Sequence, residues 1–303
     1  WVAPVEGSIA GPLWDLGGGP LGVAFGAEYR TEKTDTPPVP FTDTAEIVGL
    51  GFSAFSADRD VYAGYVELTA PVIDMLELNA ALRYDHYSDF GSSTTPKFGF
   101  KFKPFEQFVL RATYAEAFRA PGPAESGNSS SFGFTNIGIL TIGNPDVEPE
   151  EAKSYTVGIV AQPLDNLSVS LDYYKIEREN EIVAADQAVV VGDLPTTGDP
   201  NSSIPGLIPN SFLFYDTEGL LGTISAPFIN ANETNTDGLD LDFRSSFALG
   251  ESGGELRAGL IWTHIFSFER LLPGDVRFEY AGTQGPFVLS SAGGTPDDRG
   301  RLE

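Results

Sequence analysis

Two histidines and a scatter of carboxylates are the side chains best suited to acid–base work in this sequence. His86 directly follows Asp85, and a carboxylate beside an imidazole is a familiar proton-handling pair. Adjacent residues of a strand point to opposite faces, so these two cannot line one site. A rim position among aromatic residues accounts for His86 better. Asp240 and Asp242 do share a face, and Glu28, Glu67 and Arg83 are candidates for the same interior. Paired carboxylates at that spacing can move protons or hold a cation. A polar lumen has the same composition without any reaction, and that is the preferred reading. Gly17-Gly18-Gly19 lacks the lysine and helix of a phosphate loop, so it is a turn. The expectation is a protein that is not an enzyme, with no cofactor and no metal site.

The elements that carry these residues alternate apolar and polar positions, as two-faced strands do. Leu76, Leu78, Ala80, Leu82 and Tyr84 oppose Glu77, Asn79, Arg83 and Asp85. Phe98, Phe100 and Phe102 oppose Lys97, Lys101 and Lys103. Phe108, Leu110, Ala112 and Tyr114 are set against Arg111, Thr113 and Glu116. Similar segments occur at 21–30, 62–69, 155–162, 167–174, 239–244 and 256–263, with weaker ones at 7–16 and from Arg299 onward. The apolar faces are rich in Phe, Leu and Tyr while the polar faces carry full charges. That pairing suits a sheet with lipid on one side and water on the other.

Connections alternate in length. Short turns fall near Gly18, Asp74, Phe105, Asp165 and Ser252. Long excursions are expected at about 32–59, 120–152, 179–223 and 269–298, with a shorter loop at 89–96 and a short helix at 181–191. No run reaches the ~18 apolar residues of a membrane helix, so insertion would require a closed barrel. Short turns on one side and long loops on the other fit an antiparallel up-and-down transmembrane β-barrel better than a soluble sandwich. The 303 residues carry a net charge of −25 and no cysteine. That charge argues against nucleic acid and anionic lipid as partners and, without thiols, there are no disulfides or thiolate metal sites. Much of the acid lies in the expected loops. This would suit cationic or metal-complexed ligands, though a plain solvated surface is the commoner meaning.

Tyr29, Tyr84, Tyr87, Phe90, Tyr114 and Phe118 are expected in the aromatic girdle, Tyr84 and Phe118 having ligand contact as the competing role. Ligand-binding candidates in the long loops are Phe132, Phe134, Phe212, Phe214 and Tyr215, because function tends to sit on loops held by a rigid scaffold.

Several stretches resemble one family, the TonB-dependent receptors of Gram-negative outer membranes. They are Arg83-Tyr84-Asp85-His86-Tyr87-Ser88-Asp89-Phe90-Gly91 with Thr95-Pro96-Lys97, and Leu110-Arg111-Ala112-Thr113-Tyr114 with Ala117-Phe118-Arg119-Ala120-Pro121. Gly143-Asn144-Pro145-Asp146-Val147-Glu148-Pro149-Glu150 with Ser154-Tyr155-Thr156-Val157-Gly158 follows. Leu171-Asp172-Tyr173-Tyr174-Lys175-Ile176 and Thr236-Asp237-Gly238-Leu239-Asp240-Leu241-Asp242 complete the set. Thr95 stands where the family usually has Asn. The resemblance implies an outer-membrane receptor that captures and imports a scarce large ligand: a siderophore complex, cobalamin, haem or an oligosaccharide. It implies TonB as energy-supplying partner, and a plug domain inside a barrel of about 22 strands. Ten or eleven strands are counted over residues 1–303, so the expectation is a partial barrel, without the plug and the last strands. The glycosylation sequons at Asn128, Asn201 and Asn232 carry no weight in a bacterial barrel. The rival readings are a small porin-like barrel for passive diffusion, which would pair its terminal strands, and a barrel-borne hydrolase.

Overall fold

A computed structural model describes residues 2–43, 46–47, 51–134, 138–184, 203–205, 212–215, 219–250, 253–272, 276–283 and 294–303. In chain order the elements are β1 (Val2–Leu16), β2 (Gly19–Thr36), β3 (Phe52–Ile73), β4 (Leu76–Tyr87), β5 (Gly91–Phe105), β6 (Phe108–Arg119) and α1 (Pro123–Ser126). They continue with β7 (Asn128–Phe134), β8 (Gly138–Ile142), β9 (Glu150–Leu164), β10 (Leu167–Ala184), β11 (Ser203–Pro205) and β12 (Phe212–Tyr215). The last four are β13 (Leu221–Ala248), β14 (Glu255–Leu272), β15 (Val276–Glu279) and β16 (Asp298–Leu302). No described helix is long and apolar enough to cross a membrane.

All sixteen described strands belong to one sheet. Its wall runs β1-β2-β3-β4-β5-β6-β9-β10-β13-β14-β16, each antiparallel to the next. Eleven wall strands match the alternation in the sequence; the other five lie in the long excursions. Among the described pairings β1 meets only β2 and β16 meets only β14, so the wall is open between them.

No second layer covers the apolar face among the described residues. Phe25, Leu82, Phe98, Val157 and Phe266 are 46–55% exposed on it. In water such a belt would be an aggregation surface, and in a bilayer it is the lipid-facing side. The opposite face carries Arg83 against Glu28 at 3.3 Å, Arg111 against Asp172 at 2.7 Å and Arg244 against Asp242 at 2.7 Å. Glu116 departs from the expected facing. It shares the Tyr114 side of β6 and accepts the Tyr114 hydroxyl, because residues two apart share a face.

The short turns are tight where glycine allows it. A Cβ on Gly18 would fall 2.4 Å from the Ile73 carbonyl carbon, so the β1–β2 turn can lie against the end of β3 only without a side chain. The long excursions are shorter than the sequence implied, because backbone pairing continues past the charge-rich strand ends. β2 and β3 stay paired from Glu32↔Arg59 to Thr36↔Phe55. β5 starts at Gly91, whose φ of 105° belongs to glycine, rather than after Pro96. Residues 181–184, expected as the start of a helix, extend β10 against β13, Glu181 opposite Asn232 and Ile182–Ala184 opposite Phe228–Asn230. The rest of that expected helix, 185–191, lies outside the described residues.

The excursion after β6 rejoins the wall. β7 pairs with β3, setting Phe52 opposite Phe132, and with β8. β8 runs parallel to β13, setting Gly138 opposite Thr223. Passing through β3, β4, β5, β6, β9, β10, β13, β8 and back through β7, the pairing closes a circuit at the long-loop end.

Candidate functional site

The long-loop end is held by two polar anchors. The first joins β2, β3 and β4. Arg30 donates Nε to Glu32 at 2.6 Å, Nη1 to Glu28 at 2.7 Å and Nη2 to the Tyr87 hydroxyl at 2.9 Å. Arg59 donates Nε to Glu32 at 2.7 Å and Nη1 to the Pro121 carbonyl at 2.8 Å. Both guanidinium groups lie over the Tyr87 ring, at 5.6 and 5.0 Å from its centroid. Burial pushes the Glu32 carboxyl up, but the two arginines outweigh it and hold it below the ordinary 4.5.

Tyr87 is therefore not a girdle residue. It is 6% exposed and sits with the charged groups, stacked on Phe90 at 4.5 Å and edge-on to Phe118 at 5.9 Å. Those two rings leave the expected girdle with it. Odd numbering places Tyr87 on the Arg83–Asp85 side of β4, a facing that period-2 counting contains but that a tally of aromatics overlooks. Tyr29, Tyr84 and Tyr114 keep the apolar side, Tyr29 beside Tyr62 and Tyr114 beside Tyr155, both at 5.1 Å between centroids.

The second anchor joins β6, α1, β9, β10 and β14. Arg119 donates to Glu125 at 2.9 Å and to Glu150 Oε1 at 2.7 Å, and the Ile182 amide donates to that same oxygen at 2.9 Å. Burial raises the Glu150 pKa, and the Arg119 and Ile182 bonds reverse that shift to leave it below 4.5. Buried Glu181 sits 3.1 Å from both Arg178 and Arg270. Asn144 donates to the Phe228 carbonyl at 2.9 Å, and Asn230 donates to the carbonyls of Glu148 and Asn180 at 2.8 Å. The segments 117–121 and 143–150, quoted above for their resemblance, thus clamp the loops to the wall.

The candidate ligand residues are carried on this framework. Phe132 on β7 is half-buried beside Phe52, with ring centroids 6.2 Å apart. Its partner Leu140 lies opposite Ser225, and Thr223, two residues along β13, lies opposite Phe214. That register puts Phe132 and Phe214 on one face of the loop-end sheet. Phe214 is 43% exposed, whereas Tyr215 is buried. Phe134 occupies the position opposite Gly138, and Phe212 the position opposite Ser225.

The acid–base candidates stay apart. His86 Nδ1 is 2.9 Å from Ser92 Oγ, but Asp85 points away and is held by Arg83, so among the described residues no carboxylate orients the imidazole. His264 meets Asp298 at 3.0 Å beside Trp262. Asp240 accepts from Thr263 and Asp242 from Arg244 on β13, while Glu28 pairs with Arg83 on β2–β4. The arrangement holds loops in place over a charged wall and offers aromatic surface at their end.

A family profile described as TonB dependent receptor-like, beta-barrel matches residues 5–300. A probable TonB-dependent siderophore receptor PirA of Acinetobacter baumannii is 23% identical over 252 residues, 77% of this chain and 33% of that protein. A ferric enterobactin receptor PirA of Pseudomonas aeruginosa is 26% identical over 177 residues, 54% of this chain and 24% of that protein. The chain therefore spans between a quarter and a third of the curated relatives it matches. The crystal structure of the siderophore receptor PirA from P. aeruginosa superposes with a TM-score of 0.62 at 20% identity, over 89% of this chain and 45% of that one. The A. baumannii PirA structure gives 0.63 at 17% identity, over 88% and 36%. These relatives are named as receptors.

Proposed function

Because the chain belongs to the TonB-dependent receptor-like β-barrel family and so to the Gram-negative outer membrane, we propose that it forms part of the wall and mouth of an import receptor. The cargo is a ferric siderophore, captured at the loop end and carried inward at the expense of TonB. The observation that supports this most is the single two-faced sheet. Its uncovered apolar side suits lipid, its charged side suits a water-filled lumen, and its elaborated strands are concentrated at one end. Further strands complete the barrel between β1 and β16, whose unpaired edges are costly in a bilayer. A plug domain fills the lumen of the assembled receptor. The loops that carry Phe132, Phe134, Phe212, Phe214 and Tyr215 supply part of the ligand surface.

The test is uptake of radio-iron complexes by iron-starved cells carrying or lacking the complete gene. Loss of uptake on deletion, and an equal loss on inactivating TonB, is the expected result. Uptake that survives without TonB would mean a passive pore and would overturn the reading.

A further inference from the structure

The β7–β8 pair crosses the mouth and is stitched down on both sides. Five residue pairs join β7 to β3, from Phe52↔Phe132 to Ser56↔Asn128. Five more join β8 to β13, from Gly138↔Thr223 to Ile142↔Pro227, and β7 and β8 pair with each other between these seams. With the seven wall strands β3, β4, β5, β6, β9, β10 and β13 they make a circuit of nine. A closed ring of about eight strands has an interior just wide enough for its own side chains to fill.

The pattern of burial agrees. Among the described residues the buried apolar side chains lie in the loop-side half of the sheet, with Val61, Ile224 and Ala226 at 0% exposure and Leu213 at 1%. Farther down the polar face Glu67, Lys97 and Arg111 are exposed, as residues of a wet lumen are. Backbone bonds tie the crossing piece to what lies below it. The Asn144 amide donates to the Glu125 carbonyl at 2.8 Å, and the Gly143 amide to the Ser129 carbonyl at 3.0 Å. The Glu148 amide donates to Asn230 Oδ1 at 2.7 Å. A Cβ on Gly127 would fall 2.9 Å from the Ser56 carbonyl oxygen, so the end of α1 lies directly on β3. A cleft of about 240 Å³, lined by Val2, Glu32, Arg59 and Pro123 among others, lies at the β1 margin of this packing.

Elements that open in a working cycle come from the least stable parts of a fold, with few buried contacts and exposed backbone bonds. Swinging β7–β8 aside would break both seams and uncover Ile224 and Ala226. Resting on the reading of this chain as receptor wall and mouth, we infer that β7–β8 with α1 is a fixed roof over seven wall strands. Cargo passes beside it, through the part of the mouth bounded by β1–β2, β14–β16 and the strands that complete the barrel. The roof offers cargo its margin and no path beneath.

Two measurements on the complete receptor test this. Hydrogen exchange in detergent micelles needs no cargo. The amides of β7 and β8 should exchange within about tenfold of those in the ends of β3 and β13 that they join, and exchange more than about 100-fold faster would overturn the roof. The second measurement locks both seams, with Ser53→Cys and Ser131→Cys on one side and Leu140→Cys and Ser225→Cys on the other. Cells carrying this receptor are given radio-iron as ferric enterobactin and as a ferric tris-hydroxamate, after oxidation or with reductant. Equal TonB-dependent uptake in the two states is expected. Uptake lost on oxidation and restored by reductant would show that the roof must move, and would overturn the inference while leaving the import reading standing. Uptake of neither chelate in either state would tell against the import reading, and the exchange result then decides the roof alone.

Discussion

Arg119 and Ile182 meet on one oxygen. The guanidinium and the backbone amide both donate to Glu150 Oε1, at 2.7 and 2.9 Å, so one carboxylate joins the end of β6 to the extension of β10. Replacing Glu150 with Ala leaves a buried amide without an acceptor and should destabilise this corner by about 1–3 kcal/mol. Hydrogen exchange at the Ile182 amide reads the effect directly. Unchanged protection would show that the contact does not hold the corner.

The same corner should loosen in acid. Glu150 and Glu32 have pKa values below the ordinary 4.5 when folded. Each therefore contributes stability that is fully present above about 4.5 and is lost as pH falls through the lower folded value. Protease nicking of the 120–134 segment should stay flat from pH 7 to 5 and rise below about 4.5. In the Glu150→Gln, Glu32→Gln double variant that rise should be much smaller.

Tyr87 carries two guanidinium groups on its ring and a hydrogen bond from Arg30. Tyr87→Leu keeps bulk but removes both, and should cost about 1–3 kcal/mol. Tyr84→Leu on the opposite side of β4 should cost less. Urea unfolding from detergent micelles compares the two, and equal losses would return Tyr87 to the girdle.

The absence of native cysteine allows the loop-end bridge to be checked without background. Ser53 faces Ser131 across β3 and β7, while Ser129 faces Phe55. Ser53→Cys with Ser131→Cys should form a disulfide under mild oxidation, and Ser53→Cys with Ser129→Cys should form far less, because only the first pair meets the reach of the bond. A gel shift sensitive to reductant reports the outcome.

Facing in the wall can be tested by charge. Leu82 is exposed on the apolar side and Ala81 lies between Glu67 and Lys97 on the other. Leu82→Arg should cost about 2–4 kcal/mol in a bilayer, and Ala81→Arg much less. Equal costs would mean that the apolar side does not meet lipid.

What could be read from the sequence was local. Alternation at period 2 is written in neighbouring residues, so the two faces at Leu76–Asp85 and Phe98–Lys103, the turns at Gly18 and Asp165, and the wall strands were all legible. The resemblance lay in segments that turn out to be clamps: Arg119 to Glu150, Asn144 to β13. Their roles were not legible, because each partner lies about 30 residues or more away along the chain.

Only the tertiary structure decided how far the strands run and what the loops join. Strands 2 and 3 remain paired out to Thr36 and Phe55 although charge and proline suggested a loop, because backbone hydrogen bonds are insensitive to side-chain polarity. The return of β7 and β8 to β3 and β13 has no local signature either. Pairing partners are fixed by closure of backbone bonds between distant segments, and a single sequence records which residues alternate but not whom they meet.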